Sequence, residues 1–145
     1  MSAPVNVTVS RHFSAPPERV FDAWLDPAMI GRFMFGPALR DETIIHLKVD
    51  ARVGGAFSFK VRRGDMEIDH VGTYREITRP RRLVFTWGIL GESVDESVVS
   101  IEITPHDDGC ELTLTHEMQP QWAGFAQRVE QGWTTMLAAL EGNLA

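Results

Sequence analysis

The sequence has almost no cysteine. Cys110 is the one thiol among 145 residues, so no internal disulfide can form, and a reducing compartment is expected. No apolar run approaches the roughly 18 residues that crossing a bilayer takes. The opening Met1-Ser2-Ala3-Pro4-Val5-Asn6 has neither a basic nor an apolar stretch, so no secretory signal is expected. A cytoplasmic protein that does not engage a membrane is the expectation. Catalytic motifs are lacking too. Gly54-Gly55 has neither the spacing nor the following helix of a phosphate loop, and neither a Gly-x-Ser-x-Gly elbow nor a His-Glu-x-x-His pair occurs. Asp65, Glu67, Asp69 and His70 are close in sequence, but strand alternation sends His70 to the face opposite Glu67 and Asp69. No metal or cofactor is expected, and no catalytic residue is assigned.

Basic side chains are scarce in one half of the chain. Residues 83–145 hold Arg128 as their only basic side chain against 10 acidic ones, whereas residues 1–82 hold 13 basic and 10 acidic. The overall charge of −6 argues against a nucleic-acid partner. The asymmetry fits an acidic interaction surface or two solvated faces of one domain. Arg79, Arg81, Arg82, Arg62 and Arg63 read as a solvated turn face. At 43% hydrophobic and 23% charged, the composition is that of a globular protein, and the length suits a single domain over 1–145.

What is present is a change of period. Val5, Val7, Val9, Arg11 and Phe13 alternate, which predicts a half-buried strand. Ser14-Ala15-Pro16-Pro17-Glu18 predicts a helix start capped by Ser14, followed by the apolar face Val20, Phe21, Trp24 and Leu25. Asp26-Pro27 breaks that helix and opens a second short one, which ends near Gly36-Pro37. From residue 43 to 118 the period is two, with turns at Gly54-Gly55, Arg63-Gly64-Asp65, Thr78-Arg79-Pro80, Gly88–Ser93 and His106-Asp107-Asp108-Gly109. Pro120 opens a long helix with the stripe Trp122, Phe125, Val129, Trp133, Met136, Leu137 and Leu140. Strands joined by short turns are antiparallel, and the long helix is the element large enough to cover their apolar face. The fold class is α+β: about seven antiparallel strands curved around a C-terminal helix.

This arrangement resembles the START-like, helix-grip (SRPBCC, Bet v-like) superfamily. Within it the chain is similar to the branch named after the activator of the heat-shock protein 90 ATPase. The matching pieces include Phe13-Ser14-Ala15-Pro16, Val20-Phe21-Asp22-Ala23-Trp24, Val53-Gly54-Gly55-Ala56-Phe57, Gly72-Thr73-Tyr74-Arg75-Glu76-Ile77, Arg82-Leu83-Val84-Phe85-Thr86, Leu112-Thr113-Leu114-Thr115-His116 and Gly132-Trp133. The family often has an aromatic pair where Phe33-Met34 stand, and an aromatic where His70 stands. The resemblance implies a hollow between sheet and helix that holds a hydrophobic small molecule: a lipid, a polyketide or an aromatic metabolite.

Parity predicts what lines that hollow. Phe57 and Phe59, His70 and Tyr74, Phe85 and Trp87, Val99, and His116 point inward, with Phe33 on the second helix and Trp133 and Met136 on the long one. Pairing Ile103 with Leu112 sets Val99 opposite His116. Trp87 then falls near Asp95 or Ser97, and Gly72 near Trp87. The first expectation is a binding protein, monomer or homodimer, in which His116 and Trp87 touch the ligand. One alternative is a polyketide cyclase or aromatase in which His116 with Asp95 moves protons. Another is a chaperone-activating interaction module. Gly132 is expected to let the helix approach the sheet closely. The acidic second half is expected to surround the mouth and to disfavour an anionic ligand.

Overall fold

The computed structural model describes residues 4–91 and 97–144. Seven antiparallel strands form one sheet: β1 (Val5–Phe13), β2 (Thr43–Val49), β3 (Ala56–Arg63), β4 (Met66–Thr78), β5 (Arg82–Ile89), β6 (Ser97–His106) and β7 (Gly109–Met118). Their order across the sheet is β1-β7-β6-β5-β4-β3-β2, so the first strand closes against the last. The helices α1 (Pro17–Ala23) and α2 (Pro27–Phe33) follow β1, and α3 (Ala126–Leu144) packs over the inner face. This is the α+β helix-grip fold expected from the sequence. No helix among the described residues is long and apolar enough to cross a membrane.

The register is the expected one. Ile103 pairs with Leu112, Val99 with His116 and Trp87 with Ser97. Two-residue hairpins at Gly64-Asp65 and Asp107-Asp108 fix it, with Gly64 at φ 60° and Asp107 at φ 52°. A bulge between Tyr74 and Glu76 reverses parity along β4. His70 and Tyr74 are therefore buried before it, and Ile77 packs on the core after it.

Two local expectations are corrected. Ser14 does not cap α1: the consecutive prolines hold the chain extended, Pro16 sits at the cap position, and no side chain accepts from the first turn. Asp26 does cap α2, its Oδ1 accepting from the Ala28 N–H at 3.0 Å. The long helix also starts later than the stripe suggests. Pro120–Phe125 is a 3-10 turn, and Ala126 begins the α-helix. Three residues per turn set Trp122 and Phe125 on one edge, away from the sheet. They pack on each other at 5.5 Å and stay exposed. The stripe that grips the sheet is Trp133, Leu137, Leu140 and Leu144.

Candidate functional site

The inner face of the sheet divides into a filled end and an open end. At the filled end, Phe57 and Phe59 stack at 4.7 Å, and Phe85 stands edge-on to Phe57 at 5.6 Å. With Tyr74, Trp24 and Met34 they enclose a void of about 10 Å³, room for one water at most. Burial pushes the Tyr74 phenol well above its usual range, so it stays neutral. The Trp24 indole N–H is buried at this end without a partner among the described residues. Phe33 is fully buried, edge-on to Trp24 at 5.1 Å, and Val99 is fully buried beneath the sheet's inner surface. Four of the predicted lining residues, Phe57, Phe59, Tyr74 and Phe85, thus wall the core, and Phe33 and Val99 are packed within it.

The open end holds a cavity of about 360 Å³. His70, Trp87, His116, Trp133 and Met136 border it, as parity expected. Phe35, Arg40, Arg63, Ile89, Arg128, Val129 and Gly132 complete the lining. These seven were missed, although some were within reach. Arg63 extends the inward series Phe57, Phe59, Val61, and Ile89 extends Phe85, Trp87. Val129, Gly132, Trp133 and Met136 share one helix face, and Arg128 is one turn before Gly132. Phe35 follows the last turn of α2, where no period applies; its ring lies 4.5 Å from His70 and parallel to Trp87 at 6.3 Å.

One hydrogen-bond chain fixes the geometry. The Trp133 Nε1–H donates to His116 Nδ1 at 3.0 Å. The His116 proton is therefore on Nε2, which donates to Ser97 Oγ at 2.7 Å. Ser97 passes its own hydrogen to the Trp87 carbonyl at 2.8 Å. Both ring nitrogens of His116 are used, and burial lowers its pKa to about 4. It has no lone pair for abstracting a proton until the Trp133 bond breaks. What it does here is tie the Trp133 indole to the β5–β6 backbone at Trp87, whose ring packs on that of Trp133 at 5.6 Å. Asp95, the expected partner of His116, lies outside the described residues.

His70 differs. Its Nδ1–H donates to the Phe59 carbonyl at 3.2 Å, which leaves Nε2 an acceptor with no protein partner among the described residues. Burial lowers its pKa to about 4, so that lone pair stays free at neutral pH. A second polar chain lies on the outer face: His46 Nε2 meets Ser58 Oγ at 2.7 Å, and Ser58 donates to Asp69 at 2.6 Å. The serine sits between base and acid with its hydrogen committed to the carboxylate, the wrong order for a nucleophile.

The acidic rim expected around the Asp95 loop lies outside the described residues, and the described part of the opening carries the opposite charge. Among the described residues that border it, three are arginines and none carries a carboxylate. Folding brings Arg40 and Arg63 from the basic half to the same end as Arg128, the sole basic side chain of the acidic half. The buried Glu42 carboxylate anchors two of them. It accepts from Arg63 Nε at 2.6 Å, Arg40 at 3.3 Å and the Gly36 N–H at 2.7 Å. The arginines of the turn face form ion pairs at the surface: Arg79 with Asp22, Arg82 with Glu76 and Glu102, and Arg62 with Glu67. Gly132 is no close-approach glycine either. A side chain placed there meets no atom within 4 Å and extends into the opening.

The family model described as "Activator of Hsp90 ATPase homolog 1-like protein" matches residues 14–145. The fold is similar to that of protein CV1439 from Chromobacterium violaceum: 24% identity, 96% of each chain covered, TM-score 0.83. It is similar to Mll3558 from Rhizobium loti at 26% identity, over 99% of this chain and 100% of that one, with a TM-score of 0.80. CalU16 from Micromonospora echinospora matches at 25% identity over 98% of this chain and 77% of its own, with a TM-score of 0.73. No curated protein matches the sequence significantly.

Proposed function

The chain belongs to the activator of Hsp90 ATPase homolog 1-like family, and on that premise we propose that it binds a compact hydrophobic small molecule between the sheet and α3. The observation that carries this reading is the opening of about 360 Å³ beside a filled core. That volume is at the small end of ligand pockets, which suits an aromatic or alicyclic metabolite better than a long-chain lipid. Its apolar wall is Trp87 and Trp133 with Phe35, Ile89, Val129 and Met136 beside them. The Trp133 indole is held by its hydrogen bond to His116 and the Trp87 ring by packing on Phe35, His70 and Trp133, so little side-chain freedom remains to be lost on binding. His70 Nε2 supplies one convergent acceptor, a polar group that can orient a ligand against the apolar wall.

The test is a titration with the neutral fluorophore N-phenyl-1-naphthylamine. Saturable enhancement at one site is expected, and Gly132→Leu should abolish it while leaving the thermal midpoint within a few degrees. Absence of binding to the native protein, or undiminished binding to Gly132→Leu, would overturn the proposal.

A further inference from the structure

From the arginines at the rim we infer that the ligand is an organic acid: its hydrophobic body lies against the contiguous surface of Trp87 and Trp133, and its anionic group meets Arg128 and the free ends of Arg40 and Arg63. This rests on the cavity being the binding site. Among the described residues, three guanidiniums face one carboxylate, that of Glu42, whose side chain is fully buried. Arg63 commits its Nε to Glu42, and Arg40 commits one terminal nitrogen to Glu42 and the Met34 carbonyl. Each fork keeps donors that no protein acceptor takes among the described residues. Glu42 therefore works as an anchor: it aims two long side chains at the opening without covering their outer edges. Arg128 pairs with no carboxylate among the described residues and rests over the Phe125 ring at 5.8 Å. Such preset forks match a carboxylate bidentately and cost little reorganisation when one arrives.

The alternatives fit less well. A cationic ligand would meet three like charges and no described carboxylate on the lining. A neutral ligand would leave the guanidiniums partly desolvated against its body with nothing to satisfy them. His70 adds a position: its Nε2, with no partner among the described residues, accepts from a hydroxyl or N–H on the body of the acid.

The experiment is calorimetric titration with a matched series: 1-naphthylacetate, 1-naphthylacetamide and 1-(1-naphthyl)ethylamine. The acid should bind at least about tenfold more tightly than the amide, because hydrogen bonds to a charged group carry more than neutral ones. The amine should bind weakest. Arg128→Gln leaves the Glu42 anchor intact and should lower the acid-to-amide ratio several-fold. Equal binding of acid and amide, or an unchanged ratio in Arg128→Gln, overturns this inference while the cavity reading stands. If none of the three binds and N-phenyl-1-naphthylamine fails as well, the cavity reading falls first and takes the inference with it.

Discussion

At the residue scale, the two inner histidines decide the pH behaviour. Both have pKa values lowered from 6.5 to about 4 by burial, so the unfolded chain binds more protons than the folded one between those values. Their contribution is fully present above about pH 6.5 and is lost as pH falls toward 4. Each shift is worth up to about 3 kcal/mol. The urea midpoint should therefore drop steeply between pH 7 and pH 4.5, and His70→Phe should flatten that drop. An unchanged slope in that variant would contradict the assignment. Trp133→Phe removes the donor to His116 Nδ1, which exposes an unsatisfied acceptor and costs about 1–3 kcal/mol. Its second consequence is specific. With that donor gone, the His116 pKa should rise, and an NMR titration of its ring protons would show it. The gathering of Trp87, Ser97 and His116 was legible because hairpin length and parity fix register. Their hydrogen-bond order was not, since it depends on where α3 sets the Trp133 indole.

At the element scale, glycines separate close packing from open space. A side chain at Gly72 would meet the Thr86 carbonyl oxygen at 2.0 Å and the Phe57 ring at 2.6 Å. β4 and the filled aromatic end can meet there only because the position has no Cβ. Gly72→Ala should cost about 1–3 kcal/mol or more through overpacking, read from chemical denaturation. Gly132→Ala should do the reverse. It removes a glycine from a helix interior without a clash and should stabilise by about 0.5–1 kcal/mol. Equal destabilisation by the two substitutions would refute this contrast. Sequence period placed α3 correctly over its gripping turns but extended the stripe through Trp122 and Phe125. Apolar spacing alone does not tell a 3-10 turn from an α-helix when three- and four-residue steps mix.

At the scale of the whole molecule, the charge split crosses no structural seam. β1 pairs with β7 along its full length, and Arg11 in β1 meets Glu141 in α3 at 2.9 Å. That half-buried ion pair adds about 1 kcal/mol, but the strand pairing ties β1 of the basic half and β7 of the acidic half into one sheet. Urea unfolding followed by tryptophan fluorescence and by far-UV circular dichroism should give coincident single transitions; two separated transitions would contradict a shared core. The sequence by itself determined the order and type of elements, the inward face of each strand and the register of the β6–β7 hairpin. Those depend on neighbours a few residues apart: alternation, turn chemistry and capping. Only the tertiary structure decided which part of the inner face is filled and which is open, because that depends on where α2 and α3 come to rest. It also brought three arginines to the opening. Arg40, Arg63 and Arg128 are far apart along the chain, and no local pattern relates them until the sheet curves and the helix closes over it.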